Sequence, residues 1–203
     1  MNLWPSYSKH PIIILLFFMT FQFSCKKKTN WVDYDQIEII RTSRDSSFYF
    51  NGKLFDGKIK KMDQDGGERI VFDVKNGILN GDYLEFYSNG NRKIESNYLN
   101  GKLNGEFISY YDNKKIKEST KYSIGLMDGY RKLYWRNGVI KESSFLNLGV
   151  LTGECLFFYS NSNLRKKISF DSFGNRDGVW SDYYQNGNVK SEIKYKSGVI
   201  INS

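Results

Sequence analysis

The chain reads Gly105-Glu106-Phe107-Ile108-Ser109-Tyr110-Tyr111, then Asp112-Asn113-Lys114, then Lys115-Ile116-Lys117-Glu118-Ser119-Thr120-Lys121-Tyr122. Two strand-like runs flank a short polar turn, which is the signature of a β-hairpin. Other units place Asn-Gly in this turn, and that pair tolerates the positive φ angles that tight hairpin turns require. The unit therefore predicts two antiparallel strands.

The hairpin unit recurs with a fixed period. A glycine after Asn, Asp or Thr opens each copy, and successive copies are 24 residues apart four times and 25 residues apart once. The six glycines are Gly57, Gly81, Gly105, Gly129, Gly153 and Gly178. Such a period indicates a repeat array, in which each unit buries its apolar side against its neighbours. Because short turns also join the copies, we expect an elongated all-β meander of about six 24-residue repeats.

Pairs of aromatic residues mark the first strand of five copies. They are Phe86-Tyr87, Tyr110-Tyr111, Tyr134-Trp135, Phe158-Tyr159 and Tyr183-Tyr184. Adjacent strand residues point to opposite faces, so each pair is predicted to place one ring on each side of the sheet, in two ladders of stacked rings. The predicted binding surface comprises Tyr87, Tyr110, Tyr111, Tyr134, Trp135, Tyr159, Tyr183 and Tyr184.

The amino terminus has the features of an export signal. An apolar run from Ile12 to Phe23 is short for a membrane span but suits a signal-peptide core. The following Ser24-Cys25 resembles a bacterial lipoprotein signal, which implies lipidation of Cys25; cleavage without lipidation and retention as a short anchor remain alternatives. We predict a signal at 1–25, a tether at 26–36 and a repeat domain at 37–203, in which Phe48-Tyr49-Phe50 forms a lone second strand.

Residues for catalysis are scarce. The single histidine, His10, lies inside the predicted signal, which excludes Ser-His-Asp and Cys-His machinery from the remainder. Cys155 is predicted to pack as a small apolar residue, and Asp56, Asp128 and Asp177 to form turns. We therefore expect no catalytic residue, no metal and no cofactor. The formal net charge of +8 is interpreted as a solvated sheet face on which Lys and Glu alternate.

The pattern Asn-Gly-x-x-x-Gly, then x-x-x-x-Tyr-Tyr, then x-Asn-Gly-x-x-Lys resembles the bacterial variant of the MORN repeat over residues 48–200. The resemblance implies an extended, twisted antiparallel sheet of successive hairpins. Similar arrays occur in exported proteins and in YwqK-family antitoxins.

Three functions are compatible with these features. The leading hypothesis is a non-enzymatic lipoprotein of the bacterial envelope, facing the periplasm or held in the outer membrane, whose array binds an envelope protein. An antitoxin-like or immunity protein is the second, suggested by the resemblance alone. The third is a module that binds glycan or anionic lipid through exposed tyrosines and lysines. Nucleic acid is not expected as a partner, because no recognition motif is visible.

Overall fold

The computed structural model describes residues 31–41 and 46–201, and within them the chain is almost entirely β-structure. The amino-terminal part comprises β1 (Trp31–Asp33), a 3-10 turn (Tyr34–Gln36), β2 (Glu38–Arg41), β3 (Ser46–Phe50) and β4 (Lys53–Leu54). The next strands are β5 (Gly57–Met62), β6 (Glu68–Lys75), β7 (Ile78–Phe86), β8 (Arg92–Leu99), β9 (Lys102–Tyr110) and β10 (Ile116–Ser123). The last are β11 (Leu126–Tyr134), β12 (Ile140–Asn147), β13 (Val150–Phe158), β14 (Leu164–Phe170), β15 (Gly178–Tyr183), β16 (Val189–Lys196) and β17 (Val199–Ile200).

Fourteen of these strands form one open sheet. Strands β5 to β17 follow one another in chain order, each antiparallel to the next, and β1 lies parallel beside β5. Six hairpins, from β5–β6 to β15–β16, match the six predicted copies. The predicted all-β meander is therefore confirmed.

The hairpin turns use the predicted backbone conformation. Gly90, Gly138 and Gly187 have φ angles of 77°, 91° and 91°, and Lys114 and Ser162 adopt the same left-handed conformation where glycine is missing. In each turn an Asn side chain accepts a hydrogen bond from the backbone two residues on, as Asn89 Oδ1 does from the N–H of Asn91. Such Asx turns explain why Asn recurs at this position.

Most turns between copies are closed by the Asn or Asp residue that precedes an opening glycine. The side-chain oxygens of Asn80 and Asn104 accept hydrogen bonds from the backbone N–H groups 20 residues further on, at 3.0 and 3.2 Å. Asp56, Asp128 and Asp177 do the same. The predicted turn-forming role of these aspartates is confirmed, and each bond fastens one copy to the next.

The amino-terminal end differs from the sequence-based expectation. Residues 31–36, predicted as tether, form β1 and the 3-10 turn, because Val32 pairs with Ile59 in register and Tyr34 packs on the core. Phe48-Tyr49-Phe50 is not a lone strand either: it lies in β3, the middle strand of a separate sheet β2–β3–β4. We name this small sheet, with residues 31–37, the cap.

The cap covers one face of the sheet at β5–β7 and encloses the main hydrophobic core. That core consists of Ile37, Phe48, Phe55, Ile59, Phe72 and Val74. We name the covered side face A. Beyond the cap its central row continues through paired positions in successive strands, and this row consists of Tyr83, Ser96, Phe107, Thr120, Arg131 and Ser144.

Candidate functional site

The predicted aromatic surface serves mainly to join neighbouring copies. The second ring of each of the first four pairs donates a hydrogen bond to a backbone carbonyl of the following copy, and each bond spans 23 or 24 residues. These bonds run from Tyr87 to Tyr110, from Tyr111 to Tyr134, from Trp135 to Phe158 and from Tyr159 to Tyr183, at 2.7, 2.7, 3.1 and 2.9 Å. Their rings are half-buried. These four polar groups therefore act as staples between repeats.

The remaining predicted rings are more varied. Tyr110, Tyr134 and Tyr183 are half-buried, and the hydroxyl of Tyr110 donates to Glu95 at 3.1 Å. Burial, followed by that hydrogen bond, raises the pKa of Tyr110. Tyr184 differs from all the others: it is 52% exposed, and its hydroxyl has no hydrogen-bond partner among residues 31–41 and 46–201.

The predicted ladders of stacked pairs are wrong, and strand spacing explains why. First strands of successive copies are separated by a second strand, so equivalent rings lie about 10 Å apart. Ring contacts require centroids within about 7 Å. The observed contacts instead join adjacent strands, as in Tyr83–Tyr98 at 5.9 Å and Phe107–Tyr122 at 6.2 Å. Burial among such neighbours raises the pKa of Tyr83 to about 12.

The structure contains a line of basic side chains that was not predicted from the sequence. In each of the six hairpins the strand register shifts by one residue, which leaves one unpaired bulge residue on the second strand. All six bulge residues are basic: Arg69, Lys93, Lys117, Lys141, Arg165 and Lys190. Bulges re-aim a side chain out of the regular pleat. A period-24 search for Lys and Arg would have found the set.

These bulge cations belong to a basic rim, which we define as the five hairpin turns at residues 87–93, 111–117, 135–141, 159–165 and 184–190. The five segments contain nine Lys and Arg residues and one acidic residue, Asp112, so that their net charge equals the +8 of the whole chain. A hydrogen bond from Arg136 lowers the pKa of Asp112. The remainder of the chain is balanced, and the positive charge is concentrated at one end of the strands.

Most bulge cations lack a carboxylate partner. Lys141 lies 4.7 Å from the ring centre of Trp135, and Lys190 lies 5.9 Å from that of Tyr184. Arg165 lies over Phe157, and Lys117 has no carboxylate within 4 Å in the described part of the chain. Lys93 and Arg69 are the exceptions, paired with Glu85 at 2.6 Å and Asp63 at 3.4 Å.

Two clefts open along the hairpin-turn ends of the strands. One, of about 430 Å³, is lined by Lys61, Arg69, Glu85, Tyr87 and Lys93 among others. The second, of about 290 Å³, lies between neighbouring turns and is lined by Gly90, Asn91, Arg92, Tyr110 and Lys114. Both clefts are open to solvent and carry more basic than acidic side chains.

The opposite end of the strands carries an apolar rim. It consists of Ile124, Leu126, Leu148, Val150 and Phe173, which lie in three successive turns between copies. All are exposed, from 42% for Val150 to 84% for Phe173. The side chains of Leu126 and Val150 each lie against the glycine of the next turn, since a Cβ on Gly149 would lie 3.8 Å from Leu126 and one on Gly174 would lie 3.0 Å from Val150.

Two residues of the apolar rim adopt an unfavourable backbone conformation. Ile124 and Leu148 have φ angles of 47° and 45°, where earlier copies place Asn76 and Asn100 and the cap places Asn51. The left-handed region suits Asn and Gly, and it costs a branched residue about 1–2 kcal/mol. Bulky apolar side chains are therefore held in solvent at positions that Asn would occupy with less strain.

Face A contains the remaining chemistry-bearing groups. Arg131 bridges Glu118 at 3.2 Å and Glu142 at 2.8 Å. Cys155 is buried nearby, as predicted, and burial, with a smaller contribution from Glu142, raises the pKa of its thiol to about 11. A thiol held protonated in this way is a poor nucleophile. No three His, Cys, Asp or Glu side chains of the described residues lie together in a metal-binding arrangement.

Comparison with known proteins identifies the repeat. The MORN repeat variant matches residues 79–100, 103–123, 151–172 and 176–197. None of the curated proteins matches the chain. Cys25 lies outside the described residues, and none of the helical segments within them is long and apolar enough to cross a membrane. The matches coincide with β7–β8, β9–β10, β13–β14 and β15–β16, so four of the six hairpins are similar to the MORN repeat variant.

Proposed function

We propose that this protein is a non-enzymatic interaction module that binds a protein partner through its apolar rim. MORN repeats occur in protein- and membrane-interaction modules and are generally non-enzymatic. The observation that carries the proposal is the exposure of Ile124 and Leu148 at strained, left-handed positions. Strain of this kind persists where the residue has a use that outweighs its cost.

The composition of the rim favours a protein as the occupant. Contiguous exposed apolar side chains mark interaction sites, and a protein interface combines an apolar centre with a polar surround. Lys102, Lys121 and Asp128 flank the first turn of the rim, so that polar groups of both charges border the apolar side chains. We infer a partner that offers an apolar groove, into which the line of Ile, Leu and Val side chains inserts.

The location of this interaction is proposed as the bacterial envelope. The export signal predicted at residues 1–25 supports this location, and lipidation of Cys25 would attach the module to a membrane. The mass of the amino-terminal peptide of the purified full-length protein tests this part. A thioether-lipidated Cys25 peptide is expected, and an unmodified peptide that begins before or after Cys25 would contradict it.

The binding proposal is tested with the double variant Ile124→Asn and Leu148→Asn. Asn occupies the equivalent turn in two other copies and a similar turn in the cap, so the variant is expected to fold and to show a melting temperature equal to or above that of the parent. Crosslinking in living cells, followed by purification and mass spectrometry, is expected to recover a reproducible partner with the parent and to lose it with the variant.

A matched control distinguishes a specific role of the apolar rim from a general effect of losing exposed apolar side chains. Ile40→Asn and Ile193→Asn also replace two exposed apolar side chains, which lie on β2 and β16, away from the rim. This control is expected to retain the partner. The proposal would be rejected if the apolar-rim variant and the control recovered the partner equally. Hydrolase or transferase turnover by the purified protein would also reject it.

A further inference from the structure

The basic bulges suggest a second ligand, independent of the partner proposed above. Successive bulge cations lie on alternate strands of the sheet, so they form a single row in which neighbours are two strand spacings, or about 10 Å, apart. Six of six bulges carry Lys or Arg, although these residues make up 30 of 203 in the chain. A hairpin bulge needs no basic residue for its own geometry. The repeated choice therefore indicates selection for charge.

We propose that the basic rim binds a linear acidic polysaccharide, with its carboxylate groups along Lys93, Lys117, Lys141, Arg165 and Lys190. The ligand lies across the hairpin turns, whose segments contain nine cations and one acid. Arg92, Lys93 and Arg136 are paired with carboxylates, and the other six cations have no carboxylate partner among the described residues. Three of the five cations lie over aromatic rings, and Lys117 has no carboxylate within 4 Å among the described residues. These charges are consequently open to an external anion.

The shape of the rim favours a flexible chain over a membrane. A sheet ordinarily twists by about 20° per strand, so turns four repeats apart point in directions that differ by about 160°. A flat bilayer would touch only neighbouring turns. A polymer can follow the whole rim, and each further cation that it reaches adds to the affinity.

The aromatic groups disfavour single-stranded nucleic acid. Binding of that kind uses open ring faces on which bases stack. Here Lys141 covers the Trp135 ring and Lys190 the Tyr184 ring, at 4.7 and 5.9 Å from their centres. In addition, the polar groups of Tyr87, Tyr111 and Trp135 are engaged by the following copy. The rim therefore presents cations, and a ligand with regularly spaced charges fits it better than one with bases.

The test is titration of the full-length protein with sodium polygalacturonate, and with neutral dextran of the same length. Binding to polygalacturonate alone is expected, with an affinity that rises with chain length and falls with salt. Changing the five bulge cations of the basic rim to Gln is expected to weaken binding at least about tenfold, because several exposed charge contacts are lost together.

A charge-matched control distinguishes this site from general basicity. It replaces five exposed lysines outside the rim with Gln: Lys53, Lys75, Lys102, Lys121 and Lys194. This control is expected to change the affinity by less than about twofold. The apolar-rim variant with Ile124→Asn and Leu148→Asn is expected to bind polygalacturonate normally, so the two proposals can fail separately.

Three outcomes would overturn the inference. They are equal losses in the rim variant and the lysine control, no binding to polygalacturonate, and tighter binding to oligothymidylate or to phosphatidylglycerol vesicles. Should the five-residue variant fail to fold, Lys117→Gln and Lys190→Gln decide, since both lysines are exposed and neither contacts a carboxylate in the described chain. Each single change is expected to weaken binding about twofold, and unchanged affinity in both would reject the site.

Discussion

The capped end of the sheet and the open array beyond it use the same hairpin but bury different side chains. Under the cap, the central row of face A holds Ile59 and Phe72, which are 0% and 4% exposed. In the open array the equivalent buried positions hold Ser96, Thr120, Ser144 and Ile168, of which only the last is a large apolar residue. A single layer buries mainly small groups between neighbouring side chains, and a second layer allows a cluster of large apolar groups to be buried. Ile168 and Tyr195, which are 9% and 6% exposed, are the large apolar exceptions in the open array. The protein thus combines a conventional core with an uncovered, staple-held extension.

The largest expected difference is that between the same substitution, Phe to Ala, made under the cap and in the open array. Phe72→Ala removes a ring packed against Phe48 at 5.3 Å and Tyr83 at 6.0 Å, and it is expected to cost about 3–5 kcal/mol. Phe107→Ala, on the same face of the open array, is expected to cost about 1–2 kcal/mol, because its ring is only half-buried. Denaturant unfolding measures both. Equal costs would show that the cap adds nothing to the packing of face A.

The next prediction concerns Cys155, which is buried without a covering layer. Its pKa is raised to about 11, whereas an unfolded cysteine titrates near 8.5. The unfolded chain therefore loses its proton first, and the thiol's contribution to the free energy of unfolding falls between these pH values, by about 3 kcal/mol in all. Comparison of the parent with Cys155→Ala across this window isolates the effect. If the stability difference between the parent and the variant does not change with pH, water reaches the Cys155 thiol in the open array.

The smallest effect is expected from the staples. Tyr111→Phe removes the hydroxyl that donates to the carbonyl of Tyr134 at 2.7 Å, and it is expected to cost about 1 kcal/mol. Tyr184→Phe is the matched control, because the exposed Tyr184 hydroxyl has no partner among the described residues, and it is expected to be neutral. Thermal unfolding of both variants provides the measurement. A loss in Tyr184→Phe as large as that in Tyr111→Phe would contradict the role of the staple.

The sequence predicts the repeated part of this fold well, because period, turn residues and strand length all agree there. The cap escaped prediction, since residues 31–56 contain no complete copy and the periodicity does not reveal that β1 pairs with β5 or that β2–β3–β4 form a separate sheet. The aromatic pairs were located but misassigned, because alternation along one strand does not reveal the intervening strand that separates equivalent rings. The bulge cations were missed for a related reason: a one-residue register shift, such as that at Lys117, follows from pairing between strands.

The short range of the hydrogen bonds between copies has a consequence for how such repeat chains change in length during evolution. Each connecting bond, whether from Tyr87 to Tyr110 or from the N–H of Asn100 to Asn80, extends only into the adjoining copy. Loss or duplication of one whole 24-residue copy would therefore leave every donor facing an equivalent acceptor. Copy number can change in single steps, each of which lengthens or shortens both rims by about 10 Å. The length of the protein can therefore change without a change in the types of residue along its two rims.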